Sequence, residues 1–192
     1  TLAPEGGAHQ SIGTPLIGIS QPGLLSFEPA FADELALIMN YGFNYLQDEA
    51  GGSIYLRLTT RSIDQPMREI DKELKNNIIR GGYWLKKPGS NPEVIIVYQG
   101  AVASEAIEST ALLGEKFKDS GVLSITSSDN LFHNWKNQTL SSKNKTTQSH
   151  IEKLLEFIPR DTRIITVVDG HPMTLSWIGS VYGHKTIPLG VD

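Results

Sequence analysis

Two short apolar runs, Val94-Ile95-Ile96-Val97 and Ile164-Ile165-Thr166-Val167-Val168, constrain the fold of this 192-residue chain more than any other feature. Both are β-branched and neither alternates apolar with polar, which is the pattern of strands covered on both faces. Around them, element types take turns. Residues 83–86 read as a strand, and Gly100 leads into a helix over 101–117. A strand at 122–126, a helix at 148–158 and a helical stretch at 172–182 follow, with a last strand at 185–189. Strands that alternate with helices predict an α/β fold with a largely parallel sheet. Residues 141–149 (SSKNKTTQS) are polar and low in complexity, so they read as an exposed loop.

The first third is punctuated differently. Residues 1–26 are rich in glycine and proline and nearly uncharged, and Leu16-Ile17-Gly18-Ile19 within them reads as a short buried strand between loops. Glu28-Pro29 is expected to open a helix, with proline in the first turn, where its missing N–H does no harm. Phe31, Leu35, Ile38, Met39, Phe43 and Leu46 carry that helix at helical spacing until Gly51-Gly52. Residues 53–61 (SIYLRLTTR) alternate Ile54, Leu56 and Leu58 against Tyr55, Arg57 and Thr59, as a strand does. Pro66, a charged helix bearing Ile70, Leu74 and Ile78, and Gly81-Gly82 read as a connector between two domains.

Composition excludes several classes of function. The chain has no cysteine, so disulfides, thiolate metal sites and cysteine nucleophiles are absent. Seventeen Lys and Arg against 21 Asp and Glu leave a net charge of −4, which argues against a nucleic-acid footprint. No apolar run approaches the roughly 20 residues of a membrane helix. A first residue that is threonine, with no charged-then-apolar leader behind it, gives the expectation that the chain was cut from something longer.

The segment Ala3-Pro4-Glu5-Gly6-Gly7-Ala8-His9-Gln10 is the most informative for chemistry. Glycines let backbone approach a ligand closely, and imidazole exchanges protons near neutral pH. Glu5 could orient the ring of His9 from its other nitrogen. The residues alone leave two readings open, an ordinary loop histidine or a catalytic one. Asp169 and His171 follow an apolar strand, where open α/β sheets bind ligands. Two metal-capable side chains without a third are weak, so that segment reads as a structural turn. The loop 99–104 lacks dinucleotide and P-loop spacings and reads as a helix cap. His184 reads as a loop histidine, and Phe117, Phe132, Trp135 and Phe157 as core or interface packing.

Pro4-Glu5-Gly6-Gly7-Ala8-His9-Gln10-Ser11 resembles the Gly-Pro-Thr-His-Gln loop of transketolases, part of the pyrimidine-binding domain of thiamine-diphosphate enzymes. The segments PLIGISQPGLLSFEPAFADELALIMNYGFNYL and SIYLRLTTR are closer to the homodimeric dehydrogenase component of the pyruvate dehydrogenase complex. VVDGHPMTLSWIGSVYGHKTIPLGVD is similar to the transketolase-type C-terminal domain of those enzymes. The resemblance runs in order through nearly the whole chain. It implies three-layer α/β architecture with largely parallel sheets. Residues 1–62 would be the second half of a pyrimidine-binding domain, 63–82 a connector and 83–192 a truncated C-terminal domain.

The resemblance also implies chemistry. His9 would be catalytic, donating a hydrogen bond or proton to the carbonyl oxygen of a 2-oxoacid, most readily pyruvate. Glu5 would hold its tautomer, and Gln10 would help bind substrate. The implied parent decarboxylates the 2-oxoacid and passes the acyl group to a lipoyl-bearing acyltransferase. It would be a cytoplasmic homodimer using thiamine diphosphate and Mg²⁺, with no nucleic-acid or membrane partner. The pattern departs from the family in two respects. No Gly-Asp-Gly occurs anywhere in the chain, and the sequence stops where relatives continue into a Phe-Gly-Gln-rich segment and a last helix. The expectation is therefore a fragment that is inactive alone. Two other readings stay open. One is a transketolase, for whose phosphate-binding mouth residues 1–62 offer only Arg57 and Arg61; the other is a non-catalytic dimerisation or docking module.

Overall fold

A computed structural model describes residues 12–114, 116–140 and 147–191. Glu5, His9 and Gln10 lie outside the described residues. The order of elements is α1 (Thr14–Ser20), β1 (Leu24–Phe27), α2 (Ala32–Tyr45), β2 (Ser53–Leu56), α3 (Lys72–Ile79), β3 (Gly82–Lys86) and β4 (Val94–Gln99). There follow α4 (Ala103–Gly114), β5 (Gly121–Ile125), α5 (Ser128–Leu140), α6 (His150–Leu155), β6 (Arg163–Val168), α7 (Met173–Ser176) and β7 (Thr186–Leu189). Single 3₁₀ turns cover Gly100–Val102 and Trp177–Val181.

The chain is an α/β protein with mostly parallel strands. β1 and β2 form a parallel pair, and a five-stranded sheet has the order β3-β5-β4-β6-β7 with β3 alone antiparallel. β4 sits at the centre because all six of its residues are buried. Its side chains alternate between faces, as the strand period requires. Ile95 and Val97 join Leu131, Ile151, Leu155, Leu175 and Ile178 from the α5, α6 and α7 side. Ile96 and Tyr98 meet Ala103 and Ala106 of α4, together with Phe31. A third cluster joins Phe27 of β1, Ile38 of α2, Ile78 of α3 and Tyr83 of β3.

The amino-terminal elements differ from the expected ones for identifiable reasons. Leu16–Ile19 is helix, not strand. Four apolar residues are too few to reveal a period, and Pro15 occupies the first turn of α1, where it is compatible with helix. The strand is the next apolar run, Leu24–Phe27. Glu28-Pro29 precedes α2 without opening it. The helix begins at Ala32, and the Glu34 carboxylate accepts the Phe31 N–H from the third helical position. β2 ends at Leu56, five residues before the expected limit. Residues 128–140 form α5, for which the sequence pattern gives no helix signal. Leu131 is its only fully buried large apolar side chain, so the helical stripe is narrow.

The two-stranded pair is stitched to the larger sheet through side-chain and backbone bonds. Asp129 Oδ2 accepts the Ser26 N–H at 2.8 Å, and the Thr126 carbonyl accepts the Glu28 N–H at 2.8 Å. Phe132, Trp135 and Trp177 form a half-buried aromatic stack, with Trp135 and Trp177 5.5 Å apart and nearly parallel. That is packing between α5 and the turn after α7, as the sequence indicates.

Candidate functional site

Parallel strands that begin at one level end at another, and ligands in open α/β sheets collect outside their carboxyl ends. Four polar side chains meet at that level. Glu28 directly follows β1, Arg57 follows β2, Gln99 is the last residue of β4, and Asp169 follows β6. The guanidinium of Arg57 donates through Nη1 to Glu28 Oε1, and its Nη2 lies 3.5 Å from Asp169 Oδ2. Gln99 Nε2 donates to Glu28 Oε2 at 2.9 Å. Glu28 and Gln99 are each 4% exposed, and the Arg57 side chain 10%. Burial pushes the Glu28 carboxyl up, while Arg57 and the Gln99 amide pull it down.

Gly100 makes this arrangement possible. Its φ is +66°, and the Glu28 carboxyl lies where a Cβ on residue 100 would stand. The loop at the start of the α4 turn therefore faces an internal carboxylate.

The Asp169-Gly170-His171 segment is a turn, as the sequence reading holds, and it is also a junction. The His171 N–H donates to the Ile12 carbonyl at 2.7 Å. A Cβ on Gly170 would stand 3.2 Å from that same oxygen and 3.0 Å from Pro15 Cγ. His171 Nδ1 accepts the Met173 N–H at 3.2 Å, and its carbonyl accepts the hydroxyl and the N–H of Thr174, so it caps α7. The Val191 N–H donates to the Gly170 carbonyl at 2.9 Å. The turn thus holds the chain three residues after His9 and also holds the end of β7.

A second buried network lies at the start of α2. Glu34 is fully buried; its Oε2 accepts the N–H groups of Ala30 and Phe31 at 2.7 and 3.0 Å, and its Oε1 accepts the Tyr83 hydroxyl at 2.6 Å. Arg68 forks onto Asp33 at 2.7 and 2.8 Å and also donates to Tyr83 at 2.7 Å. Burial raises the Glu34 carboxyl against these donors, and it raises Tyr83 as well.

A cleft of about 560 Å³ shares no lining residue with the Glu28 group. Arg80, Lys87 and Lys153 line it with Asp71, Glu73 and Glu156, so neither sign of charge dominates. His150 forms part of its wall; burial lowers its pKa to about 4, and Nε2 lies 2.8 Å from the Gly82 carbonyl. His184 is also buried, which lowers its pKa. Among the described residues no three His, Asp or Glu side chains converge as a metal-holding group, and no helix is long and apolar enough to cross a membrane.

The Glu28 cluster is not legible in the sequence because its contacting pairs are 29 to 112 residues apart. A signal was present: a charged residue stands one position past each of three apolar strands.

Comparison with known proteins places the chain. It is 30% identical over 136 residues to the pyruvate dehydrogenase E1 component of Buchnera aphidicola subsp. Baizongia pistaciae, covering 70% of this chain and 15% of that protein. It is 27% identical over 129 residues to the pyruvate dehydrogenase E1 component of Escherichia coli K12, covering 66% of this chain and 14% of that protein. The chain thus spans about one seventh of the length of the curated relatives it matches. Among solved structures, a transketolase from Pichia stipitis superposes with a TM-score of 0.63 at 20% identity, over 96% of this chain and 23% of that chain. A split-gene transketolase, an inactive β4 tetramer, gives a TM-score of 0.57 at 18% identity, over 96% of this chain and 54% of that chain. No protein-family model matches. The chain is homologous to part of pyruvate dehydrogenase E1 and shares the fold of about a quarter of transketolase.

Proposed function

We propose that this homologue of part of pyruvate dehydrogenase E1 is the carboxy-terminal part of a thiamine-diphosphate-dependent 2-oxoacid dehydrogenase component acting on pyruvate. The observation that carries the reading is the 30% identity over 136 residues to such a component. The likeness to transketolase is one of fold, so it supports the superfamily and leaves the choice of substrate to the sequence relationship.

This chain does not fit thiamine diphosphate by itself. It has no Gly-Asp-Gly segment, and the described residues hold no group of metal-capable side chains. Cofactor and Mg²⁺ would be held by residues outside the chain, and thiamine diphosphate would supply the carbon nucleophile when bound. The residue of this chain that would act on the substrate is His9. Its imidazole would donate a hydrogen bond or proton to the 2-oxo oxygen as negative charge develops there, with Glu5 fixing the tautomer and Gln10 contacting substrate. The acyl group would then pass to a lipoyl-bearing acyltransferase, in a homodimer. The split-gene transketolase that is inactive as a β4 tetramer supports the expectation that these residues alone do not turn over.

The test is an assay of the intact enzyme containing this chain. Pyruvate-dependent acyl transfer to a lipoyl acceptor supports the reading. Ketol transfer between sugar phosphates, with no turnover of pyruvate, overturns it in favour of a transketolase.

A further inference from the structure

Helices α2 and α3 share a core through Ile38 and Ile78, and between them lies a groove of about 410 Å³. Every residue that lines it belongs to these two helices or is the Arg80 that ends α3. Leu37, Tyr41 and Ile79, all partly buried, form its apolar part. Asn40, Asn44 and Asn76 bring three carboxamides to it, and Lys75 and Arg80 bring two cations. Among the described residues no carboxylate lines the groove, and neither cation forms an ion pair. Asp71 and Glu73 line the neighbouring cleft instead. Asp48, which adds to the rise that burial gives the Tyr41 hydroxyl, stands outside the lining, and its Oδ1 accepts the Ala50 N–H at 2.9 Å.

The carboxamides are an unfavourable choice for helical positions. Asparagine is a poorer helix former than Gln, Glu or Lys, because its short amide competes for backbone hydrogen bonds. Yet Asn40 and Asn44 stand one turn apart in α2, and Asn76 of α3 lines the same groove. Asn44 donates from Nδ2 to the Asn40 carbonyl at 2.8 Å, whereas the side chains of Asn40 and Asn76 make no hydrogen bond among the described residues. Positions that break a local rule in this way are where function is expected. Arg80 is not occupied in closing its helix either. The Ile78 carbonyl accepts the Thr126 hydroxyl at 2.6 Å, and the Ile79 carbonyl accepts Asn130 Nδ2 at 3.1 Å.

We propose that the α2–α3 groove binds a nucleotide, its phosphate held by Lys75 and Arg80 and its base laid on the apolar floor with edge atoms on the carboxamides. Two cations with no acid beside them suit a phosphate monoester, which carries a charge of about −1.5 to −2 near neutral pH. A carboxamide offers a donor and an acceptor side by side, the pattern that a base edge matches. The flat faces of a base give Leu37, Tyr41 and Ile79 something to cover, which a phosphate alone would not. The volume lies within the range of roughly 300–1,000 Å³ typical of small-molecule sites. The groove shares no residue with the Glu28 group and does not include His9, so its occupancy is independent of the catalytic reading.

The experiment is ¹H–¹⁵N NMR of the 192-residue chain titrated with AMP, with inorganic phosphate and adenosine as the two halves of the probe. AMP should shift the side-chain amide signals of Asn40, Asn44 and Asn76 saturably, and should bind about tenfold or more tightly than either half. Lys75 is exposed and lines this groove alone, whereas Arg80 is shared with the neighbouring cleft. Lys75→Ala should therefore weaken AMP by about tenfold or more, the loss of one hydrogen bond to a charged group. Asn76→Ala should also weaken AMP while holding or raising Tm, since alanine is the better helix former. Lowered Tm with unchanged AMP binding would make Asn76 structural and count against the proposal. No saturable shift at these amides up to about 10 mM AMP, or a folded Lys75→Ala chain that binds AMP like the parent, would overturn it. Inorganic phosphate binding as tightly as AMP would overturn the nucleotide assignment in favour of a simple anion site.

Discussion

Replacing Glu34 tests whether its buried network joins the two sheets energetically. In Glu34→Gln the amide oxygen can still accept the Ala30 and Phe31 N–H groups, but an NH₂ then faces the Tyr83 hydroxyl and Arg68. One charge-assisted hydrogen bond is lost, worth about 1.5–3 kcal/mol, while the cost of burying a carboxylate is relieved. The expected loss is about 2 kcal/mol. Glu34→Ala leaves two N–H donors and one hydroxyl without an acceptor in the core, and should cost about 4 kcal/mol. For a chain of this length roughly 2–4 °C accompanies each kcal/mol, so Glu34→Gln should lower Tm by about 4–8 °C. Urea unfolding followed by tryptophan fluorescence measures this, with Trp84 next to Tyr83 as a reporter. A loss below about 0.5 kcal/mol, the range of exposed positions, would refute the argument.

Acid should act through His150. Its pKa falls from 6.5 in the unfolded chain to about 4 in the fold, so the folded state binds fewer protons between those values. The stability it contributes is complete above pH 6.5 and is lost as pH falls toward 4, at about 1.4 kcal/mol per pH unit and about 3 kcal/mol in all. Glu28 and Glu34, both raised, act in the opposite sense and favour the fold on acidification. His150→Gln therefore isolates the effect: stability measured by urea titration should fall less steeply with acid than in the parent, and parallel curves would contradict the assignment. Gly100→Ala should destabilise by about 2 kcal/mol or more, because φ is +66° and the new methyl must displace the Glu28 carboxyl. A Tm within 2 °C of the parent would contradict that placement.

The larger sheet was legible because its central strands are continuous apolar runs. Val94–Gln99 is buried on both faces, as its continuous apolar run implies, whereas Arg163–Val168 buries only the face of Ile164, Thr166 and Val168 and leaves Ile165 and Val167 half-buried on the other. The first third was less legible. Leu16–Ile19 and Leu24–Phe27 are equally short and apolar, and only tertiary packing decides which is helix. Arg57 illustrates a different limit. Alternation along 53–61 places it on an outward strand face, yet the strand stops at Leu56 and the guanidinium turns inward onto Glu28. Long-range charge pairs of this kind leave no local period. Asp169 and His171 were correctly placed in a turn, but the carbonyl that the turn holds, at Ile12, is more than 150 residues away in sequence.

The most direct measurement is the turnover of acyl transfer from pyruvate to a lipoyl acceptor by the intact enzyme and its His9→Ala variant, with folding checked by Tm. The account predicts a fall in kcat of about 10²- to 10³-fold at unchanged Tm, the size expected for loss of one donor to a developing oxyanion. A well-folded His9→Ala enzyme with the parent's kcat would contradict it.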